Sequence, residues 1–146
     1  MTSTLELAQH VLESQPFSKL LHAEIVAFGP DGVELRIPVT HQLKQQHGFV
    51  HGGVVSYAAD NALTFAGGNA LGPAVVTSEF KINYLRPALG QVIIARARVV
   101  YAGKTQAVCR AELYFINEKS EEVLCAIAQG TVASLSQART DVELHP

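Results

Sequence analysis

The sequence predicts an α+β protein in which an antiparallel sheet wraps around one central apolar helix. Three observations lead there. Residues Val54 to about Asn69 are apolar on nearly every side, the pattern of a helix buried in a core. From Val75 to Leu135 the chain reads as four alternating runs separated by turn residues, the pattern of successive strands. Finally, 146 residues, 48% of them hydrophobic, suffice for one core and one domain, 1–146. Charged residues make up only 16%, against roughly 25% in an average soluble domain. So few polar side chains coat an isolated copy poorly, which predicts buried contacts between subunits.

Taken in order, Ser3 and Glu6 have capping-box spacing, and Leu5, Ala8, Val11 and Leu12 form a helical stripe. The spacing predicts a short amphipathic leading helix over 1–16, ended by Pro16. Ile25 to Phe28 and Val33 to Val39 flank Pro30-Asp31-Gly32, a turn signature that predicts a hairpin. The polar loop from Thr40 to Phe49 leads into His51-Gly52-Gly53 and the central helix, which Gly67-Gly68 is expected to end. Ala58, Ala59, Ala62 and Ala66 keep that helix thin, suiting close approach to a sheet.

The four predicted strands are Val75 to Leu85, Val92 to Tyr101, Gln106 to Phe115 and Val123 to Leu135. Ile93, Ala95, Ala97 and Val99 oppose Arg96 and Arg98, and Ala107, Cys109, Ala111, Leu113 and Phe115 oppose Arg110 and Glu112. One face of the sheet is therefore dry and the other partly wet. Gly103-Lys104 and Glu118 to Ser120 supply turns that make the last strands an antiparallel meander. A polar tail, 137–146, follows.

Composition also excludes. A net charge of -2 and a pI near 6.3 argue against nucleic-acid binding driven by phosphate contacts. Cys109 and Cys125 lie in apolar runs without metal-ligand or disulfide spacing. The first ten residues lack the basic start and apolar core of a signal peptide, and no run approaches a membrane span of roughly 20 apolar residues. A cytoplasmic protein without metal or other cofactor is the expectation.

Chemistry concentrates at two places. Between His51 and Glu79 the one formally charged side chain is Asp60, in the middle of the most apolar helix. Burying a carboxylate there costs several kcal/mol unless donors or a functional role compensate. Its alternative reading is structural, accepting hydrogen bonds from a neighbouring strand or a symmetry mate. At the start of that helix, His51-Gly52-Gly53 places glycine backbone where N–H groups lack intrahelical acceptors and the dipole is positive. Such an end can hold a developing oxyanion, or the glycines can simply make a tight turn with His51 as a cap or packing residue. His41, His47 and His51 lack a metal-site pattern, and neither a nucleophile elbow nor a phosphate-cradling loop occurs.

The stretch Gln45-Gln46-His47-Gly48-Phe49-Val50-His51-Gly52-Gly53, then Asp60-Asn61-Ala62, then Asn83-Tyr84-Leu85-Arg86-Pro87-Ala88 resembles the hotdog-fold acyl-CoA thioesterases of the phenylacetate-pathway type. The resemblance spans Ala23 to Ala133. It implies a hotdog fold, a homodimer or a tetramer of paired dimers, and metal-free hydrolysis of an acyl-CoA. It also implies that the Gly52 N–H polarises the thioester carbonyl, with His51 and Gly53 beside it. Asp60 then acts as general base or nucleophile, and Gln45 stands where relatives often carry Asn. A water-orienting hydroxyl falls on Thr77, although alternation from Val76 through Phe80 turns Ser78 toward the helix, so both stay candidates.

Lys81, Arg86 and Lys104 are candidates for the CoA phosphates. Phe49, Tyr57, Phe65, Phe80 and Tyr84 are candidates for lining an acyl pocket. The sequence therefore predicts an acyl-CoA thioesterase with no nucleic-acid or membrane partner. Its alternatives are a non-catalytic acyl-CoA binding protein, which gives no reason to bury Asp60, and a hotdog hydratase, which needs an acidic partner for His51. Because Gly52 and Asp60 lie about 12 Å apart along one helix, each active site is expected to be shared between two chains.

Overall fold

A computed structural model describes residues 4–135. Ser3, and with it the capping box, and the tail 137–146 lie outside the described residues. The elements are helix α1 (Thr4–Glu13), helix α2 (Pro16–Leu20), strands β1 (Glu24–Gly29) and β2 (Gly32–Pro38), helix α3 (Gly52–Leu71), and strands β3 (Val75–Tyr84), β4 (Val92–Ala102), β5 (Gln106–Ile116) and β6 (Glu122–Ser134). All strand pairings are antiparallel, in the order β1-β2-β4-β5-β6-β3. The hairpin, the meander and the wrapped helix are those the sequence predicts.

α3 lies against the inner face of this sheet. Ala58, Ala59, Ala62 and Ala66 are fully buried, as are Leu63 of the helix and Leu35, Ile93 and Leu113 of the strands. Each large side chain removed from water in this way contributes roughly 1.5–3 kcal/mol. Glu34 bridges Arg36 at 2.8 Å and Arg96 at 2.7 Å on the outer face, and Arg96 also holds Glu122. The charged residues are thus segregated from the core by strand alternation.

Four local expectations are corrected. Pro16 does not merely stop the leading helix; it opens α2 from its first turn, where its missing N–H costs nothing. Val11 belongs with Leu7 on the outward side of α1, 43% and 54% exposed, while Ala8 and Leu12 face the core. α3 runs through Gly67-Gly68 and ends at Gly72, whose φ of +96° suits a helix stop. Gly67 is present for space: a Cβ there would lie 2.5 Å from Val132.

The fourth concerns β3. Thr77 pairs with Val132 but Glu79 pairs with Thr131, so Ser78 is an unopposed bulge residue that reverses the alternation. Val75 and Thr77 therefore share the α3 side before the bulge, and Phe80 and Ile82 after it. Ser78 turns instead to the Thr131 carbonyl at 3.2 Å.

Gly67→Ala tests the close approach of α3. Alanine raises helix propensity by about 1 kcal/mol, but overpacking against Val132 costs typically 1–3 kcal/mol. A lower midpoint of chemical unfolding is the expected result, with the penalty reduced when Val132→Ala is added.

Candidate active site

The start of α3 is set by the loop before it. The His51 N–H donates to the Leu43 carbonyl at 2.8 Å and the Val50 N–H to the Ala88 carbonyl at 2.9 Å. Between these anchors the chain makes a tight turn, with Gly48 at φ +86° and the Gln45 side-chain carbonyl accepting from the His47 N–H. His51 then caps the helix: its Nδ1 accepts from the Gly53 N–H at 2.8 Å, and its carbonyl accepts from Val54 at 2.9 Å. Of the first-turn donors at Gly52, Gly53 and Val54, only the Gly52 N–H has no acceptor among the described residues.

That N–H belongs to a cleft of about 410 Å³ whose walls include Gln45, Phe49, Gly52, Tyr84, Arg86 and Cys125. The Tyr84 hydroxyl donates to the Gly52 carbonyl at 3.2 Å and is hydrogen-bonded to Ser56. A Cβ on Gly52 would already touch the Tyr84 ring at 3.6 Å, so glycine keeps the backbone accessible there. Burial pushes the Cys125 thiol up to about 11, which leaves it protonated and a poor nucleophile near neutral pH.

Asp60 is elsewhere, on the outward stripe of α3 with Tyr57, Asn61 and Thr64. Its Oδ1 is buried without a hydrogen-bond partner among the described residues. The Thr64 hydroxyl donates to the Asp60 carbonyl at 2.8 Å and lies 2.7 Å from the Thr77 hydroxyl. Since Thr64 has committed its one proton, Thr77 is the donor of that pair and keeps its lone pairs. On the other side of Asp60, Asn61 Nδ2 donates to the Tyr57 hydroxyl at 2.9 Å and to Gln15 Oε1 at 3.2 Å. Ser18, 1% exposed, donates to Gln15 Oε1 at 2.6 Å and accepts from Tyr57. Burial raises the Tyr57 hydroxyl above its ordinary value.

One chain thus brings Gln45, Phe49, Gly52 and Arg86 around one cleft, with His51 as cap, and links Asp60 to Thr77 through the Thr64 hydroxyl two helical turns away. The Gly53 N–H is taken by the cap. Lys81 lies across from Gln129 on β6, lining a shallow depression with Asn83 and Arg110. Lys104 sits in the β4–β5 turn. His41 and His47 are exposed. Among the described residues, no group of three or more His, Cys, Asp or Glu could hold a metal ion, and no helix is long and apolar enough to cross a membrane. Sequence reasoning missed the Tyr84 clamp on Gly52 and the Thr64–Thr77 contact, the latter because the bulge conceals the phase of β3.

Comparison with known proteins agrees with this architecture. The family model of the thioesterase superfamily matches residues 47–122. A thioesterase family protein from Silicibacter pomeroyi is 37% identical, with a TM-score of 0.79 over 86% of this chain and 93% of its own. A thioesterase from Haemophilus influenzae is 31% identical, with a TM-score of 0.76 over 92% and 94% of the two chains. The acyl-coenzyme A thioesterase PaaI of Escherichia coli is 30% identical over 80% of this chain and 81% of its own length.

Replacing His51 separates cap from chemistry. His51→Ala is expected to lower stability by about 1 kcal/mol, while His51→Asn, whose side chain also accepts at a helix start, retains most of it. Thermal melts of both variants check this.

Proposed function

The chain belongs to the thioesterase superfamily, as a thioester hydrolase of the hotdog fold, and on that premise we propose that it hydrolyses an acyl-CoA to carboxylic acid and free CoA at sites shared by two copies. The observation carrying this reading is a pair of unmet groups on one helix. Among the described residues the Gly52 N–H has no acceptor and Asp60 Oδ1 has no donor, yet they lie about 12 Å apart along the axis. An oxyanion donor and a base serving one carbonyl each need to come within about 3 Å of neighbouring atoms. Two α3 helices running antiparallel about a two-fold axis bring Asp60 of each copy to Gly52 of the other. The outer edge of β3, which has no strand partner among the described residues, supports such a pairing, because an open edge invites another strand.

In this site the thioester oxygen accepts from the Gly52 N–H at the positive end of α3, which stabilises the charge that develops there. The Asp60 carboxylate takes a proton from water as it attacks, or attacks directly to give an anhydride that water then opens. Either way the C–S bond breaks and CoA leaves as thiolate, which takes up a proton. Thr77 orients the water through its free lone pairs. Arg86, beside the cleft, suits a CoA phosphate, and Gln45 and Phe49 line the path of the pantetheine arm. Two buried free cysteines agree with a reducing, cytoplasmic setting.

Subunit complementation tests the shared site. Asp60→Asn removes the base, and Gly52→Pro removes the N–H at a helical position that tolerates proline. Each variant alone is expected to lose about 100- to 10,000-fold in turnover. Mixed under subunit exchange, half of the dimers carry one intact site, so thiol release recovers toward about a quarter of wild type. No recovery despite exchange, or an active monomer, refutes the shared site.

A further inference from the structure

α1 presents two apolar side chains away from the core. Ala8 and Leu12 are buried beneath it, while Leu7 and Val11 remain 54% and 43% exposed. These two are not scattered surface hydrophobics. With Phe28, Phe65, Pro73 and Val75 they wall a groove of about 300 Å³ between α1, the second half of α3 and the start of β3. Among the described residues no charged side chain lines it; its polar members are Thr4, Gln15 and Thr64.

The position of the groove is informative. It opens at Thr64, one turn or about 6 Å beyond Asp60 along α3, and Thr64 is the residue that joins the Asp60 carbonyl to the Thr77 hydroxyl. Beside Asp60, Tyr57 and Asn61 of the helix are tied to Ser18 and to Gln15, whose side chain also borders the groove. An apolar group extending from a carbon held at Asp60 therefore finds apolar walls toward the C-terminal half of α3.

We propose that this groove holds the acyl group of the substrate, that α1 forms its outer wall through Leu7 and Val11, and that the acyl groups accepted are uncharged and apolar. The assignment rests on the hydrolase reading above, since it places the reacting carbon at Asp60. Each methylene buried in such a groove raises kcat/KM by about fourfold. A second carboxylate on the acyl group would enter a lining whose described residues offer no cation, and is rejected.

The test uses the absence of tryptophan from the chain, which makes an introduced one a unique reporter. Leu7→Trp is titrated with S-decyl-CoA, a thioether that no thioesterase cleaves, and with CoA alone. A blue shift with the thioether and none with CoA is expected. In parallel, the ratio of kcat/KM for decanoyl-CoA to that for acetyl-CoA is measured in wild type, Val11→Trp and Leu20→Trp. A tryptophan at Val11 narrows the groove, so the ratio falls by about tenfold or more; Leu20, 73% exposed and outside the groove, leaves it unchanged. Emission indifferent to S-decyl-CoA, emission that changes with protein concentration alone, or an unchanged ratio in Val11→Trp overturns the proposal, the second by assigning the groove to another copy of the chain. Reporter binding without hydrolysis of any acyl-CoA would instead refute the hydrolase reading and leave the groove standing. Hydrolysis abolished by Asp60→Asn with chain preference untouched in Val11→Trp does the reverse.

Discussion

Close contact between α3 and its sheet is possible because alanine and glycine make up more than half of the helix residues buried against it. Four alanines are fully buried on that face, and at Gly67 even a methyl group would collide with Val132. Burial on this scale leaves little room for polar atoms, since each would have to find a partner in a closely packed interior. The polar side chains of α3 are therefore kept off that face.

The cost of that arrangement appears at Asp60. A buried carboxylate oxygen without a donor is unfavourable by more than the roughly 1–3 kcal/mol of a neutral group, and stability alone gives no reason to keep it. The neighbouring polar residues do not relieve it: Thr64 serves the backbone, and Asn61 points its amide to Tyr57 and Gln15. These contacts hold the helix surface around the acid in one arrangement without neutralising it. Satisfied neighbours about an unsatisfied acid are what the role proposed for Asp60 requires.

Much of this was legible in the sequence, for identifiable reasons. Strands β4 and β5 announced themselves because alternation of small or aliphatic residues with arginine or glutamate leaves one possible inward face. Asp60 was conspicuous as one acid in an apolar run, and Gly52 through the physics of helix ends. What escaped depended on contacts distant in sequence. The bulge at Ser78 is a matter of register with β6, so nothing local in Val75 to Tyr84 reveals it. Gly67 looked like a helix stop because glycine spells both a terminus and a close approach, and Val132, 65 residues away, decides between them. Pro16 likewise spells an end or a beginning, and the polar cluster joining Ser18 to α3 chooses the latter.

His51 settles a further question by the way it caps α3. Its Nδ1 can accept the Gly53 N–H only if that nitrogen is bare, so the neutral ring is held as the Nε2–H tautomer. The imidazole is thereby a directional object, with its lone pair spent on the helix and its one N–H facing away from it. A residue with no acidic partner among the described residues still has a fixed polarity, and the donor it carries at the mouth of the helix is assigned by the backbone.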